Sequence, residues 1–278
     1  MALQLNKAIF NPTLYARVRT VWFQDLPATA QTAPMSHYQR WFGLGPASDR
    51  ASFDSTCRSH FLEALDAISP SSLRLSPLPS PGGPVTRSTE RSLDSALAQP
   101  FLETLSPAPT MPRNVFREPA EQALVYNHYD RIARSIVHAL FPDPQVEADV
   151  KDRSAVAASA GAAVRESFRP DTHPELATSP AYRTWFYLPL MHSEHLGDHE
   201  HYMNLMRSCR DDVVAAGCGE EVLKAVDMSL EFEEKHLVII KRFGRYPYRN
   251  EVLGRETTAE EKEYLDNGGD TFGAGKKE

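Results

Sequence analysis

Apolar side chains in this chain recur every three or four residues and nowhere alternate over the length of a strand, a regularity that predicts an all-α fold. The clearest run is Glu220 to Arg242. There Val222, Leu223, Val226, Met228, Leu230, Phe232, Leu237 and Ile240 keep helical spacing, and Gly244 follows as a residue suited to closing a helix. The same pattern predicts a helix over 13–23, with Leu14, Val18, Val21 and Trp22, and another from Phe53 to Ile68, with Cys57, Phe61, Leu62 and Leu65. Between these two, Gly43, Gly45 and Pro46 read as a connecting loop over aromatic residues, with Ser48 or Asp49 as the cap of the next helix. A further helix is predicted where Ala123, Tyr126, Ile132, Ile136, Val137 and Leu140 recur, ended by Phe141-Pro142. Near the C-terminus, Thr258 with Glu261 three residues on is a capping box, and Gly268 closes that element.

Two proline-rich stretches interrupt the pattern. Residues 69–89 hold five prolines, two glycines and six serines, too little apolar area to offset the entropy of ordering, and read as a flexible insert. Residues 106–119, "SPAPTMPRNVFREP", form a second connection. A short helix is expected over 90–105, and a peripheral helix with a weak apolar face over the alanine-rich, charged stretch 145–168. The reading is of one helical domain over residues 1–278, with 41% apolar residues to furnish its core.

Charge and cysteines narrow the setting. Thirty basic against thirty-seven acidic residues leave a net charge of -7, which argues against nucleic acid or an anionic membrane as partner, so any anion site must be local. No apolar run has the length of a membrane span or a signal peptide. Cys57, Cys209 and Cys218 have neither a CxxC nor a finger spacing and fit a reducing, cytoplasmic setting. No cofactor is expected.

Two places carry chemistry. In "LMHSEHLGDHEH", His192, His195 and His199 would share one face of a continuous helix, a three-imidazole geometry for zinc that lacks an evident fourth ligand; His236 and Glu233 are the nearest in kind. No metal site is expected there. His192 with Glu194 is the candidate acid–base pair, on an irregular turn because residues two apart do not share a helix face. The second place is "RFGRYPYRNEVLGR", four arginines in fourteen residues. Gly244 and Pro247 stiffen a loop that presents Arg245, Arg249 and Asn250, while "MPRNVFR" presents Arg113 and Asn114 directly after Pro112. Rigid arginines suit planar contacts with a carboxylate or phosphate. The same groups can instead act as structural glue, pairing with Glu194 or Asp198 or with helix-end carbonyls.

The stretches "MPRNVFR", "FYLPLMHSEHL" and "KRFGRYPYRNEVLGRETTAEEKEYL", with "VWF" and "RWFG" earlier, resemble the domain of unknown function 924 family, and "AEQALVYNHYDRIARSIVHAL" resembles its fungal branch. The resemblance covers about two-thirds of the chain and implies a tetratricopeptide-like helical bundle with a shared pocket, without an assigned activity. Members carry a leucine-rich run ending in Leu-Asp-Gln before the Pro-Arg-Asn element; here "LSPAPT" holds that place. The leading expectation is an enzyme acting on a small anionic molecule, with Arg113, Asn114, Arg245, Arg249 and Asn250 as binders and His192 with Glu194 as acid–base groups. The alternatives are a non-catalytic scaffold for a peptide or partner protein, or an accessory protein of fungal small-molecule biosynthesis.

Overall fold

The structure, a computed structural model, describes residues 5–75, 111–142 and 169–273, and every regular element among them is helical. The helices are α1 (Pro12–Trp22), α2 (Met35–Phe42), α3 (Ala47–Asp66), α4 (Pro112–Val115), α5 (Pro119–Leu124), α6 (Asp130–Leu140), α7 (Pro180–Met191), α8 (Leu196–Ala215), α9 (Glu220–Phe243) and α10 (Ala259–Asp266). A π-helical turn, Val125–Tyr129, joins α5 to α6 without a break, and single 3₁₀ turns lie at Pro170–Thr172 and Pro247–Arg249. None of the described helices is long and apolar enough to cross a membrane. The helices expected over 90–105 and 145–168, and residues 76–89 of the insert, lie outside the described residues.

The main core runs from Val18 and Trp22 on α1 to Val222 and Val226 on α9. At its centre Trp22, Trp41 and Trp185 meet edge to face, with ring centroids 5.0 and 4.9 Å apart, and Phe23 stacks on Tyr182 at 3.8 Å. Such pairs add about 0.5–1.5 kcal/mol each beyond the area they bury. A smaller apolar cluster of Ile239, Ile240 and Tyr246, with Phe243, Tyr248, Tyr264 and Phe272 against it, forms at the far end of α9.

Three expectations are corrected. The segment read as a connecting loop contains α2, because His37 and Trp41, four residues apart, turn one face into the core, and Gly43 at φ 62° closes it as a left-handed cap. The helix that follows begins at Ala47 with Pro46 as its N-cap; Ser48 turns its hydroxyl to Asp49 instead of capping. The helix over 119–140 is present, but its buried stripe differs from the expected one. The wide π turn sends Val125 and Tyr129 inward and leaves Tyr126 only partly buried. His128 and Tyr129 bond the carbonyls of Ile68 and Leu65 at the end of α3, at 2.6 and 3.0 Å, which ties that turn in place.

Candidate functional site

Three pieces of chain converge at the junction of the two apolar clusters. The first is α4, stitched to α3. Asn114 Nδ2 donates to Asp54 Oδ1 at 2.8 Å, Arg117 donates to the same carboxylate, and Arg58 Nη1 donates to the Val115 carbonyl at 2.7 Å. This fixes the direction of Arg113, which leaves α4 toward the π turn and donates to Asp130 Oδ2 at 2.5 Å, with its guanidinium 5.5 Å from the Tyr126 ring centroid. Burial pushes the Asp130 carboxyl up, against the pull of Arg113 and Arg249.

The second piece is the turn between α7 and α8. The continuous helix that a shared face for His192, His195 and His199 would require does not form: His192 is the C-cap of α7 and His195 the N-cap of α8, so the three rings share no face. His199 is fully committed, with Nε2 donating to the Ser193 carbonyl at 2.9 Å and Nδ1 standing 2.5 Å from Glu233 Oε1 with one proton between them. Burial raises the Glu233 carboxyl. Among the described residues no three His, Cys, Asp or Glu side chains gather as metal ligands.

His192 differs from these neighbours. Its backbone is clamped from both sides, since Tyr246 donates its hydroxyl to the Met191 carbonyl at 2.6 Å and His199 holds Ser193. Its ring makes no hydrogen bond among the described residues and keeps part of its surface open. Burial among protein groups, then the positive charges of Arg113 and Arg249 and the rings of His236 and His199, hold its pKa well below the ordinary histidine value. Glu194, two residues on, turns away from it. It accepts from both terminal nitrogens of Arg255, at 2.6 and 3.0 Å, and from the Tyr246 amide at 2.9 Å. Burial works to raise Glu194, but Arg255 wins and holds it below the usual carboxylate range.

The third piece is the loop after α9. Gly244, at φ 68°, ends that helix in the left-handed conformation a side chain would resist, and Pro247 opens the 3₁₀ turn that carries Arg249. Arg245 does not join the others. It forks onto Glu261, with Nε to Oε1 at 2.6 Å and Nη2 to Oε2 at 2.8 Å, and Asn250 Nδ2 donates to the same carboxylate at 3.1 Å. Glu261 also closes the capping box of α10 with Thr258. These contacts, Arg245 first, hold Glu261 down to about 2. Asn250 accepts in turn from Arg255 Nε at 3.0 Å.

Arg249 is 4% exposed, and its guanidinium carbon lies over three tyrosine rings, 4.3 Å from the Tyr246 centroid, 4.6 Å from Tyr126 and 5.5 Å from Tyr248. Among the described residues its one hydrogen bond is a long one, Nε to the Tyr248 hydroxyl at 3.4 Å, and no described carboxylate stands within ion-pair distance. Its terminal nitrogens are not among the sealed, unpaired side-chain atoms, which include Arg113 Nε and Glu233 Oε2, so they border space that solvent or a ligand fills. Burial opposes the charge, yet the fields of Tyr248, Glu194 and Asp130 raise the Arg249 pKa above its ordinary value. His236, 3% exposed, completes the group. It stands 5.9 Å from the Tyr246 ring and stacked on Phe272 at 3.6 Å, donates Nδ1 to the Phe232 carbonyl at 2.9 Å, and leaves Nε2 with no partner among the described residues. Burial lowers its pKa to about 3.

Of the residues singled out in the sequence, Arg113, Arg249 and His192 therefore lie within one another's electrostatic reach. Glu194 borders them while bound to Arg255, and Asn114, Arg245 and Asn250 serve neighbouring structural pairs. Tyr126, Asp130, His236, Tyr246 and Tyr248 were not read as part of this site. Tyr246 and Tyr248 flank Pro247 in the stretch already marked by its arginines, whereas nothing in the sequence pairs Tyr126 and Asp130 with it. Two shallow surface recesses, of about 480 Å³ beside Leu75, Leu124 and Arg131 and about 560 Å³ beside Gln31 and Glu221, share no residue with this cluster.

An all-helical protein with a buried, carboxylate-free arginine among tyrosines and neutral histidines is the class these features define. The chain belongs to the family described as "Bacterial protein of unknown function (DUF924)", which matches residues 18–269. Among solved structures it is similar to a protein of unknown function, ATU0120 from Agrobacterium tumefaciens, at 23% identity over 95% of this chain and 100% of that one, with a TM-score of 0.49. No curated protein matches the chain.

Proposed function

We propose that the protein is an enzyme acting on a small anionic molecule, which Arg249 binds and His192 serves as acid–base group. The observation that carries this reading is the Arg249 environment. The fields of Glu194 and Asp130 help keep Arg249 charged, but both carboxylates are bonded to other arginines, so the guanidinium over the tyrosine faces keeps its hydrogen-bonding fork unspent. An anion supplied from outside engages it. Beside it, a neutral imidazole without a hydrogen bond can take a proton from a bound substrate and return it. Arg113 adds positive potential while staying bound to Asp130. In this reading Glu194 acts by holding Arg255 and Tyr246 and so the turn that carries His192.

The hairpin-like succession of α7, α8 and α9 supports a tetratricopeptide-like arrangement, and the run 120–140 supports the fungal branch of the family. Three free cysteines fit the reducing cytoplasm. The scaffold reading has less support: on α9 the exposed Met228 and Phe232 share a face, but Val238 lies roughly a third of a turn away, so they form no continuous apolar stripe.

Calorimetric titration with inorganic phosphate and with acetate tests the proposal. At least one anion is expected to bind with net proton uptake, because a negative charge on Arg249 favours the imidazolium of His192. Arg249→Met is expected to lose that binding. Absence of binding by both anions, or binding indifferent to Arg249→Met, defeats the reading. With a substrate in hand, His192→Ala should lower the rate by about 10²–10⁴ while sparing the anion affinity.

A further inference from the structure

The polar groups left open at the site are not all of one kind, and their difference specifies more than an anion. Arg249 can only donate. His236 can only accept. Its Nδ1 proton is engaged by the Phe232 carbonyl at 2.9 Å, so in the neutral ring the lone pair is on Nε2. Both residues flank one ring, Tyr246, at 4.3 and 5.9 Å. Each is more than nine-tenths buried, and each has a polar end that bonds no other described residue: the terminal nitrogens of Arg249 and Nε2 of His236. Water alone would satisfy them without selectivity. A ligand that satisfies both must present an acceptor with negative charge and, on the same small molecule, a donor.

The local charge selects among such ligands. Arg113 is matched by Asp130, Arg255 by Glu194, and the His199–Glu233 pair shares one proton, which leaves Arg249 as the unmatched charge. One negative charge balances it. The fork of a guanidinium fits the two coplanar oxygens of a carboxylate. An ammonium group is the poorer donor, because Arg249, against the same Tyr246 ring, already places one cation beside His236. A neutral hydroxyl meets no such penalty. We infer that the site takes a small hydroxycarboxylate, its carboxylate on Arg249 and its hydroxyl donating to His236 Nε2. This rests on the anion site proposed above and names its ligand class.

The test compares probes of nearly equal size on the intact protein, followed by NMR shifts and calorimetry: lactate, propionate, alanine at neutral pH, and inorganic phosphate. Lactate is expected to bind about 10-fold more tightly than propionate, the worth of one hydrogen bond to a buried acceptor, and more tightly than alanine. In His236→Phe, whose ring keeps the stacking on Phe272, the lactate advantage should vanish while propionate affinity stays. Equal binding of lactate and propionate, or preference for alanine, overturns the hydroxycarboxylate assignment and leaves the anion site standing. Binding of phosphate alone does the same. Failure of all four probes defeats the anion site itself and this assignment with it.

Discussion

Arg245 and Arg249 stand four residues apart in one loop and have opposite electrostatic fates. Arg245 is partly exposed and finds a buried carboxylate, Glu261, which it meets with two nitrogens. Arg249 is almost wholly buried and meets tyrosine faces. The first arrangement is closed: its donors and acceptors are used up within the protein, and it fixes α10 against the end of α9. The second is open, with charge in surplus and hydrogen-bonding capacity unspent. What separates a structural arginine from a binding one here is whether the fold brings it a carboxylate, and neither composition nor exposure predicts that.

The comparison can be broken by experiment. Arg245→Ala strips a carboxylate that is 2% exposed of its main partner and should cost about 3 kcal/mol in urea unfolding. A loss under about 1 kcal/mol would place Arg245 outside the structural class. The acid limb of stability should separate the two halves next. Below pH about 6.5 the unfolded chain protonates His236 while the folded protein does not until about 3, so folding loses up to about 1.4 kcal/mol per pH unit across that window. The groups that depress His236, after its burial, are His199, Arg249 and Arg113. His236→Phe should therefore flatten the pH 6.5–3 slope. Glu261 acts in the same sense but over a lower window: its stabilising share is complete above about 4.5 and is lost only as pH falls toward 2. Unchanged pH dependence in His236→Phe would show that the imidazole is protonated in the fold.

The smallest expected effect is that of Arg249→Met on stability. The substitution keeps an apolar stem against the tyrosines and removes an unpaired buried charge, so the unfolding free energy should move by less than about 1 kcal/mol. A loss of 3 kcal/mol or more would make Arg249 a second structural arginine and erase the contrast with Arg245.

Helical class, most helix limits and the capping box at Thr258 were legible in the sequence because they depend on neighbours within one or two turns. The same locality explains Gly244 as the end of α9. Where local pattern misled, a distant contact decided. Helix α2 forms because Trp41 reaches Trp22 and Trp185, and the π turn shifts the inward stripe to Val125 and Tyr129, the latter bonded to the Leu65 carbonyl near the end of α3. The sequence likewise marked Arg113, Arg249 and His192 as chemistry-bearing, since stiff prolines beside arginine and a histidine at a helix end are local features. It could not say which arginine would be paired. That choice was made by Glu261 and Asp130, brought from other helices to Arg245 and to Arg113, and by three tyrosines that enclose Arg249. Ion pairing and desolvation depend on separations in space, and only the tertiary structure sets those.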